Sequence, residues 1–386
     1  MVEFARVAQG LGCQGLRVEE PNNHDMAGER MRVHRIAVLP GDGIGVDVIE
    51  EGLKVLQRAA ASAGDFRCEW ERFDWNCAYY LQHGRMMPAD GLERLARFDA
   101  IYLGAVGYPT VPDHISLRQL LLPIRRSFDQ YVNLRPIQLL PGIPGPLRQA
   151  KGIDFICIRE NTEGEYAGFG GRSPRHGQEE TAVQSALFTR RGIERVMRYA
   201  FELARQRPHK KVTSATKSNA LQYSMVLWDE IFAEIASEYP DVESEKWHVD
   251  ALAARFVTHP DSFDVVVASN LFGDILTDLG GALQGSLGLP ASGNLNPARR
   301  YPSMFEPVHG SAPDIHGQGI ANPIAAIWAG AMMLDFLGEQ DVARRIMAAV
   351  RATTEAGAVL TPDLGGQATT VEVGDEICRH LEQPSP

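Results

Sequence analysis

The stretch SNLFGDILTD, residues 269–278, sets Asp274 and Asp278 four residues apart in an apolar run. The residues before it, 263–268, are β-branched, short and nearly charge-free, which predicts a buried strand. Residues 270–273 read as a turn, and Asp-Ile-Leu-Thr-Asp then reads as helix. Positions i and i+4 share a helix face, so both carboxylates point the same way. Two like charges at that spacing cost a helix roughly 0.2–0.5 kcal/mol, and one of them in the first turn recovers part of this from the helix dipole. An acidic helix N-terminus at a surface fits the pattern. So does a cation site, because hard divalent ions such as Mg²⁺ take carboxylate oxygens and waters. The run KWHVDALAARF adds Asp250, expected at the end of a short strand, as a candidate third carboxylate.

Other stretches carry complementary chemistry. RRSFDQYVNLRP holds Arg125, Arg126 and Arg135, and FICIRENTEGEY sets Arg159 at the end of a strand. Arginine's planar fork binds carboxylates bidentately, so arginines converging from separate segments suit a small polyanionic acid. Taken singly, each also fits a surface salt bridge. Arg135 lies between Leu134 and Pro136 and Arg159 ends a buried strand, which argues against idle surface positions. TSATKSNA places Lys217 among small polar residues. Near a cation or in a partly buried pocket such a lysine has a lowered pKa and serves as a base; an ordinary solvated lysine is the plainer alternative.

Two glycine-rich stretches remain. PGDGIG, residues 40–45, follows a strand and opens a helix, but its glycines at 41, 43 and 45 do not match the G-x-G-x-x-G dinucleotide fingerprint. A tight strand-to-helix turn explains it equally. FEPVHGSAPDIHGQGIANP, residues 305–323, has the composition of a functional loop. Its backbone amides and Ser311 are candidates to hold phosphates, and Asp314 to accept hydrogen bonds from ribose hydroxyls. A carboxylate there repels a 2′-phosphate and so favours NAD over NADP. A purely structural tight loop is the alternative.

These stretches need a scaffold. The chain has 386 residues, 44% hydrophobic, enough for a sizeable core and for two or three domains. Net charge is −11, which disfavours nucleic acid and anionic membrane as partners. No apolar run approaches the ~20 residues needed to cross a bilayer. Five scattered cysteines (13, 68, 77, 157 and 378) without C-x-x-C spacing point to reduced thiols and a cytoplasmic setting. Strand-like and helix-like segments alternate: strands at 36–39, 98–103, 155–159 and 265–268, helices at 47–64, 189–206 and 321–337. That alternation predicts an α/β protein with a largely parallel sheet. Residues 1–33 are mixed and polar, without the apolar core of a signal peptide, and are expected to be a disordered extension or a translation-start artefact. The tail, 383–386, is expected to be loose. Pro/Gly-rich joints at 140–147 and 285–297 are candidate hinges.

Taken in order, PGDGIG, LRP ten residues after an arginine, RENTEGEY, the lone lysine of TSATKSNA, FGDILTD and EPVHGSAPDIHGQGIANP resemble the isocitrate/isopropylmalate dehydrogenase family over residues 34–380. VPDHISL, RRSFDQYVNLRP, RENTEGEYAGFGGR and ASNLFGDILTDLG are most similar to its tartrate dehydrogenase/D-malate dehydrogenase (decarboxylating) branch. The resemblance implies a two-domain fold that is not a true Rossmann domain, with the site in the interdomain cleft. Residues 34–130 and 285–386 would form a large cofactor-binding domain and 131–284 a small one with the dimer contacts. It implies a homodimer with shared sites, in which Lys217 and Asp250 serve the partner's site. Asp274 and Asp278, with Asp250 of the other chain, would bind Mg²⁺ or Mn²⁺; a monovalent cation is a further candidate. Lys217, directly or through Asp250, would take the hydroxyl proton of a 2-hydroxy diacid, Arg125, Arg135 and Arg159 would hold its β-carboxylate, and Tyr166 would deliver a proton to carbon. His309, Gly310, Ser311, Ala312, Asp314 and Asn322 map to the adenosine half of NAD, and Asn219 to the nicotinamide side.

The chain departs from the family where substrates are distinguished. Leu121 and Leu122 stand where isopropylmalate enzymes have a leucine pair, but Arg118 replaces their acidic residue and the aromatic usual in the malate/tartrate branch. Arg118 is either solvent-facing or a contact for a further anionic substituent. Gln119 and Leu121 occupy positions where isocitrate enzymes use Ser and Asn, which disfavours isocitrate. The expected activity is NAD-linked, metal-dependent oxidative decarboxylation of D-malate or tartrate, with 3-isopropylmalate as the alternative. A non-catalytic regulatory subunit is disfavoured because Lys217, Tyr166 and the aspartates are all present. A phosphotransferase is disfavoured because there is no G-x-x-x-x-G-K-[ST] run.

Overall fold

A computed structural model describes residues 31–148, 152–173, 177 and 180–382. The expectations for most of the leader and for the tail lie outside the described residues. The first strand begins at Arg32, two residues before the expected start of the folded chain.

Ten strands form one sheet and two form a separate ribbon. In chain order they are β1 Arg32–Gly41, β2 Phe66–Arg72, β3 Ala100–Ala105, β4 Val132–Gln138, β5 Asp154–Glu160, β6 Gly164–Arg172, β7 Ala182–Leu187, β8 Lys211–Thr216, β9 Glu243–His248, β10 Val265–Ala268, β11 Ala291–Leu295 and β12 Ser303–Pro307. The large sheet runs β2-β1-β3-β12-β11-β4-β5-β10-β8-β9. Its two arms are parallel, as the alternation of elements predicts. Its centre is not: β11 pairs antiparallel with both β12 and β4, and β4 pairs antiparallel with β5. The expected hinge at 285–297 therefore contains β11, a fully buried strand at the heart of the sheet. Pro136 fits in β4 because the pairing with β11 has ended at Leu134, where a missing N–H costs nothing.

Helices cover the sheet: α1 Ile44–Ala63, α2 Arg190–Arg205, α3 Val249–Thr258, α4 Asn270–Leu283 and α5 Ile324–Leu337. Helix α5 is buried on every side from Ile324 to Phe336, as a helix apolar all round must be, and Asp335 is its one charged residue. Burying each of its large side chains contributes about 1.5–3 kcal/mol. Thr189 caps α2, accepting a hydrogen bond from the Gly192 N–H at 3.0 Å. Two expected boundaries shift. Helix α4 begins at Asn270 rather than after a turn, so Asp274 lies in its second turn and gains little from the helix dipole. Asp250 lies in the first turn of α3, past the end of β9.

The PGDGIG turn is a packing device. Gly41 and Gly43 have φ of +77° and +54°, and a Cβ on them would stand 1.9 Å from the Ala105 carbonyl oxygen and 2.0 Å from that of Ser311. The Ile44 N–H donates to the Ser311 carbonyl at 2.8 Å, so this turn seats the 305–323 loop. Asp42, 6% exposed, accepts from the N–H groups of Cys77 and Gly107, both at 3.0 Å. Asp42→Ala would leave these buried donors without a partner. A loss of about 3–6 kcal/mol in urea unfolding is expected, the scale of two charge-assisted hydrogen bonds.

Candidate active site

Three buried guanidinium groups from separate elements converge. Arg125 comes from the helical stretch 113–127, Arg135 from β4 and Arg159 from β5. Sheet register fixes two of them: Arg159 pairs with Asn133, two residues from Arg135 on the adjacent strand. Arg125 donates to Glu306 at 2.9 Å. Arg135 donates through Nε to Asn133 Oδ1 at 2.9 Å and through a terminal nitrogen to Thr277 at 2.6 Å. Arg159 donates through Nε to Asn270 Oδ1 at 2.9 Å and pairs directly with Asp274. Asn133 also reaches Asn294 at 3.1 Å, and Asn294 donates to Glu306 at 2.7 Å. A buried polar chain thus crosses β4, β11 and β12 from Arg135 to Arg125.

One face of α4 serves all of this. Asn270 accepts from Arg159, Gly273 lies under its stem, Asp274 pairs with it, and Thr277 accepts from Arg135. A Cβ at Gly273 would stand 2.6 Å from the Arg159 Cβ, so this position must be bare. Asp274 and Asp278 lie 3.6 and 3.5 Å from Arg135, which answers why two carboxylates share this face. Asp274 is half-buried; the Asp278 side chain is 71% exposed. Tyr166 donates to Asp274 Oδ2 at 2.6 Å, and the Arg159 guanidinium sits 5.2 Å from its ring centroid. Burial alone would raise the Asp274 carboxyl. The Arg159 charge, the Tyr166 hydrogen bond and the Arg135 and Arg125 charges outweigh it and hold Asp274 below the usual carboxylate range. Burial and the hydrogen bond to Asp274 push Tyr166 up. Burial lowers Arg135 and Arg159, and the Arg135 charge lowers Arg159 further.

Lys217 and Asp250 form a second cluster. They follow β8 and β9 and pair with each other at 2.5 Å. The hydrogen bond from Lys217 lowers the Asp250 carboxyl. Neither makes a hydrogen bond or ion pair to the arginine cluster within the described residues, and no group of three His, Cys, Asp or Glu side chains there converges as a cation site. Asn219 is exposed in the turn after Lys217.

The 305–323 loop approaches the arginines from β12. A cavity of about 170 Å³ is lined by Leu121, Arg125, Arg135, Glu306, His309 and Gly310 among others. His309 Nδ1 lies 2.9 Å from the Gly310 carbonyl, its buried Nε2 has no partner, and burial lowers its pKa. Ser311 is buried, Ala312 has φ of +36°, and Asp314 is exposed. Asn322 is already engaged at both ends of its amide, accepting from the Ile324 N–H and donating to Asp363, each at 3.0 Å. Its side chain therefore ties the start of α5 to Asp363.

A larger cavity, about 600 Å³, is lined by His114, Arg118, Leu122, Arg126 and Tyr166 among others. Leu121 and Leu122 thus face different cavities. A π-helical turn at Leu117–Leu121 sets this register, a feature often found where a helix serves a site. Arg118 is exposed on the cavity wall and makes no ion pair among the described residues. Sequence reasoning missed Asn270, Thr277, Asn133 and Glu306; Arg126, named there with the arginines of its stretch, donates to the Tyr166 carbonyl. Asn270 and Thr277 were findable, being on the Asp274 face at i−4 and i+3. Nothing in sequence marked Asn133 or Glu306, whose roles come from strand register.

The family model described as isocitrate/isopropylmalate dehydrogenase matches residues 35–377. The chain belongs to that family. It is 57% identical over 358 residues to the D-malate dehydrogenase [decarboxylating] of Escherichia coli, covering 90% of this chain and 99% of that one. It is 53% identical over 353 residues to the tartrate dehydrogenase/decarboxylase of Pseudomonas putida, covering 89% and 96%. The solved isocitrate dehydrogenase of Methylococcus capsulatus superposes with a TM-score of 0.82 at 37% identity, covering 91% of this chain and all of that one.

A depressed Asp274 pKa has a sign. The stability it contributes is fully present above its unfolded value, near 3.8, and is lost as pH falls through the lower folded value. The stability difference between the protein and Asp274→Asn, measured by urea unfolding, should stay constant from about pH 5 to 8 and shrink only in stronger acid.

Proposed function

We propose that this protein is a metal-dependent, NAD-linked oxidative decarboxylase of a 2-hydroxy diacid, with D-malate or tartrate as substrate. The observation that carries the reading is the charge balance of the site. Three buried guanidiniums face Asp274, Asp278 and Glu306, so the cluster is matched as it stands. It accepts a divalent cation at low cost only together with a dianion. Arg125 Nε is buried with no acceptor, a donor free for a substrate carboxylate. The relatives named for D-malate and tartrate support the choice of diacid. The exposed carboxylate of Asp278 and its neighbour Asp274 fit a hard cation, with Asp250 of a second copy as the third ligand. The unpartnered His309 Nε2 and the open space over Gly310 fit the adenosine half of NAD.

When bound, NAD⁺ accepts the hydride, and the cation makes the 2-hydroxyl more acidic and stabilises the enolate oxygen. The protein's residues do the rest. The Lys217–Asp250 pair takes the hydroxyl proton as hydride leaves C2: Nζ accepts it as one of the Lys217 N–H protons passes to the Asp250 carboxylate. Arg125, Arg135 and Arg159 hold the β-carboxylate in line. The bond from that carboxylate to C3 then breaks, CO₂ departs, and its electron pair forms the enolate. Tyr166, held neutral by its raised pKa, gives its hydroxyl proton to C3, leaving a 2-keto acid.

We further propose a homodimer with shared sites. Lys217 and Asp250 lie apart from the arginines, and Leu221, Tyr223, Phe169, Val183 and Leu187 are exposed nearby in sequence or on the β6–β7 ribbon. Every residue of β7 is exposed, and a lone two-stranded ribbon is marginal in water, so a second copy is its natural cover. The two arms of the sheet would then act as the two domains, in the reduced, cytoplasmic setting that fits the four described cysteines, all free.

The decisive assay follows NADH formation with Mn²⁺ on D-malate, the tartrates, 3-isopropylmalate and isocitrate. Turnover of D-malate or tartrate, abolished by chelator, is expected; activity on isopropylmalate alone would move the substrate and leave the chemistry. In calorimetry, a non-reactive dianion such as succinate should tighten Mn²⁺ binding about tenfold or more, within the usual range of coupling energies. Lys217→Ala and Asp274→Asn should each be nearly inactive, yet mixing them should restore about a quarter of the sites if each site draws on both copies.

A further inference from the structure

Asn270 joins three parts of the site. It is the first residue of α4, 2% exposed, one turn before Asp274. Its Oδ1 accepts from Arg159 Nε at 2.9 Å, and its Nδ2 donates to the Glu163 carbonyl at 3.0 Å. Both ends of one short amide are therefore spent on two different chain segments. Glu163 opens the segment that carries Tyr166. That turn is anchored independently: Glu160 accepts from the N–H groups of Thr162 and Glu163, and Glu163 accepts from Thr189. Gly164, with φ of +73°, packs on Asn270; a Cβ there would stand 3.3 Å from the Asn270 Cβ.

We propose that Asn270 is a positioning residue whose two side-chain hydrogen bonds set the Arg159 guanidinium and the Tyr166 segment in one fixed relation to the Asp274 carboxylate. The relation matters because the three groups act on one molecule. Arg159 fixes the departing carboxylate and Tyr166 protonates the carbon it leaves, so a small displacement between them misaligns consecutive steps. The amide is directional. A carboxylate at this place keeps the acceptor for Arg159 and loses the donor for Glu163. A leucine of similar size keeps neither. The inference rests on the decarboxylase reading above.

The test compares Asn270→Leu and Asn270→Asp in the full-length protein. The leucine variant should raise KM for D-malate and lower kcat, each about tenfold, the scale of one lost buried hydrogen bond. The aspartate variant should recover KM to within about threefold while kcat stays low, since only the Tyr166 side of the joint is cut. NADH affinity should not change in either. A merely structural role predicts no such split: both parameters and NADH affinity would fall together with Tm, and that result overturns the proposal. Wild-type kinetics in Asn270→Leu also overturn it. Should the unaltered protein turn over no diacid, the functional reading fails, and succinate binding judges the joint instead. Weaker binding in the leucine variant but not in the aspartate one supports it, and equal binding in all three overturns it.

Discussion

Taking a guanidinium out of water carries an effective penalty of several kcal/mol. This protein does so three times within one site, at Arg125, Arg135 and Arg159. Most polar residues around them are explained by that burden. Glu306 and Asp274 supply charge, while Asn133, Asn270 and Thr277 supply acceptors with fixed geometry. Asn133 sits on a strand and Asn270 and Thr277 on one helix, where the backbone leaves the side chain little freedom. The arginines are consequently oriented before any ligand arrives, which is where binding sites for small polyanions gain selectivity. The antiparallel centre of the sheet carries part of this network. Asn133, Ser292 and Asn294 face one another across β4 and β11, and the polar chain they form runs between two of the arginines.

Some of this was legible in the amino-acid sequence. A period of 3.6 placed Asp274 and Asp278 on one helix face, and two more members of that face, Asn270 and Thr277, follow from the same count. The buried setting of Arg135 and Arg159 was readable from apolar neighbours. The arms of the sheet followed from alternating elements, and the strand read within 263–268 is Val265–Ala268. The departures have physical reasons. Asn270–Gly273 has the composition of a turn, yet Ser269 provides an extended residue before the helix and Gly273 is needed bare to pass the Arg159 stem. Residues 285–297 are rich in Gly, Pro and Asn and so suggest a joint, but Asn294 is a strand residue serving the buried polar chain, and Asn296, just past the strand, donates to the Phe128 and Asp129 carbonyls. Register across strands distant in sequence has no local signature, so Glu306 was invisible. Nor did anything announce the π turn at Leu117–Leu121, which sends Leu121 and Leu122 to different cavities.

PGDGIG shows how a glycine pattern misleads and still informs. Its spacing excludes the dinucleotide fingerprint, and the structure gives the glycines a different task. They let the end of β1 touch the end of β3 and the Ser311 carbonyl. The turn reaches the cofactor question indirectly, by seating the loop that lines the cavity beside Arg125 and Arg135. Fold and site are therefore not separate layers at this point. Asp42, at the centre of the turn, holds three segments through its carboxylate alone.

The contrast between the two charged clusters has a physical logic. Groups that only bind charge work best buried, since their attraction grows as water is excluded and their protonation never changes. A group that must gain and lose a proton in each cycle is poorly placed there, because every change of charge in a low-dielectric site is costly. The Lys217–Asp250 pair is the more exposed of the two: the Asp250 side chain is 67% accessible. In the dimer proposed above, the proposed proton carrier would sit on a surface that a second copy brings to the arginine cluster, while the charge-binding groups stay fixed inside one chain. Assembling the site from two copies would let each set of groups keep the environment its chemistry requires until the surfaces meet.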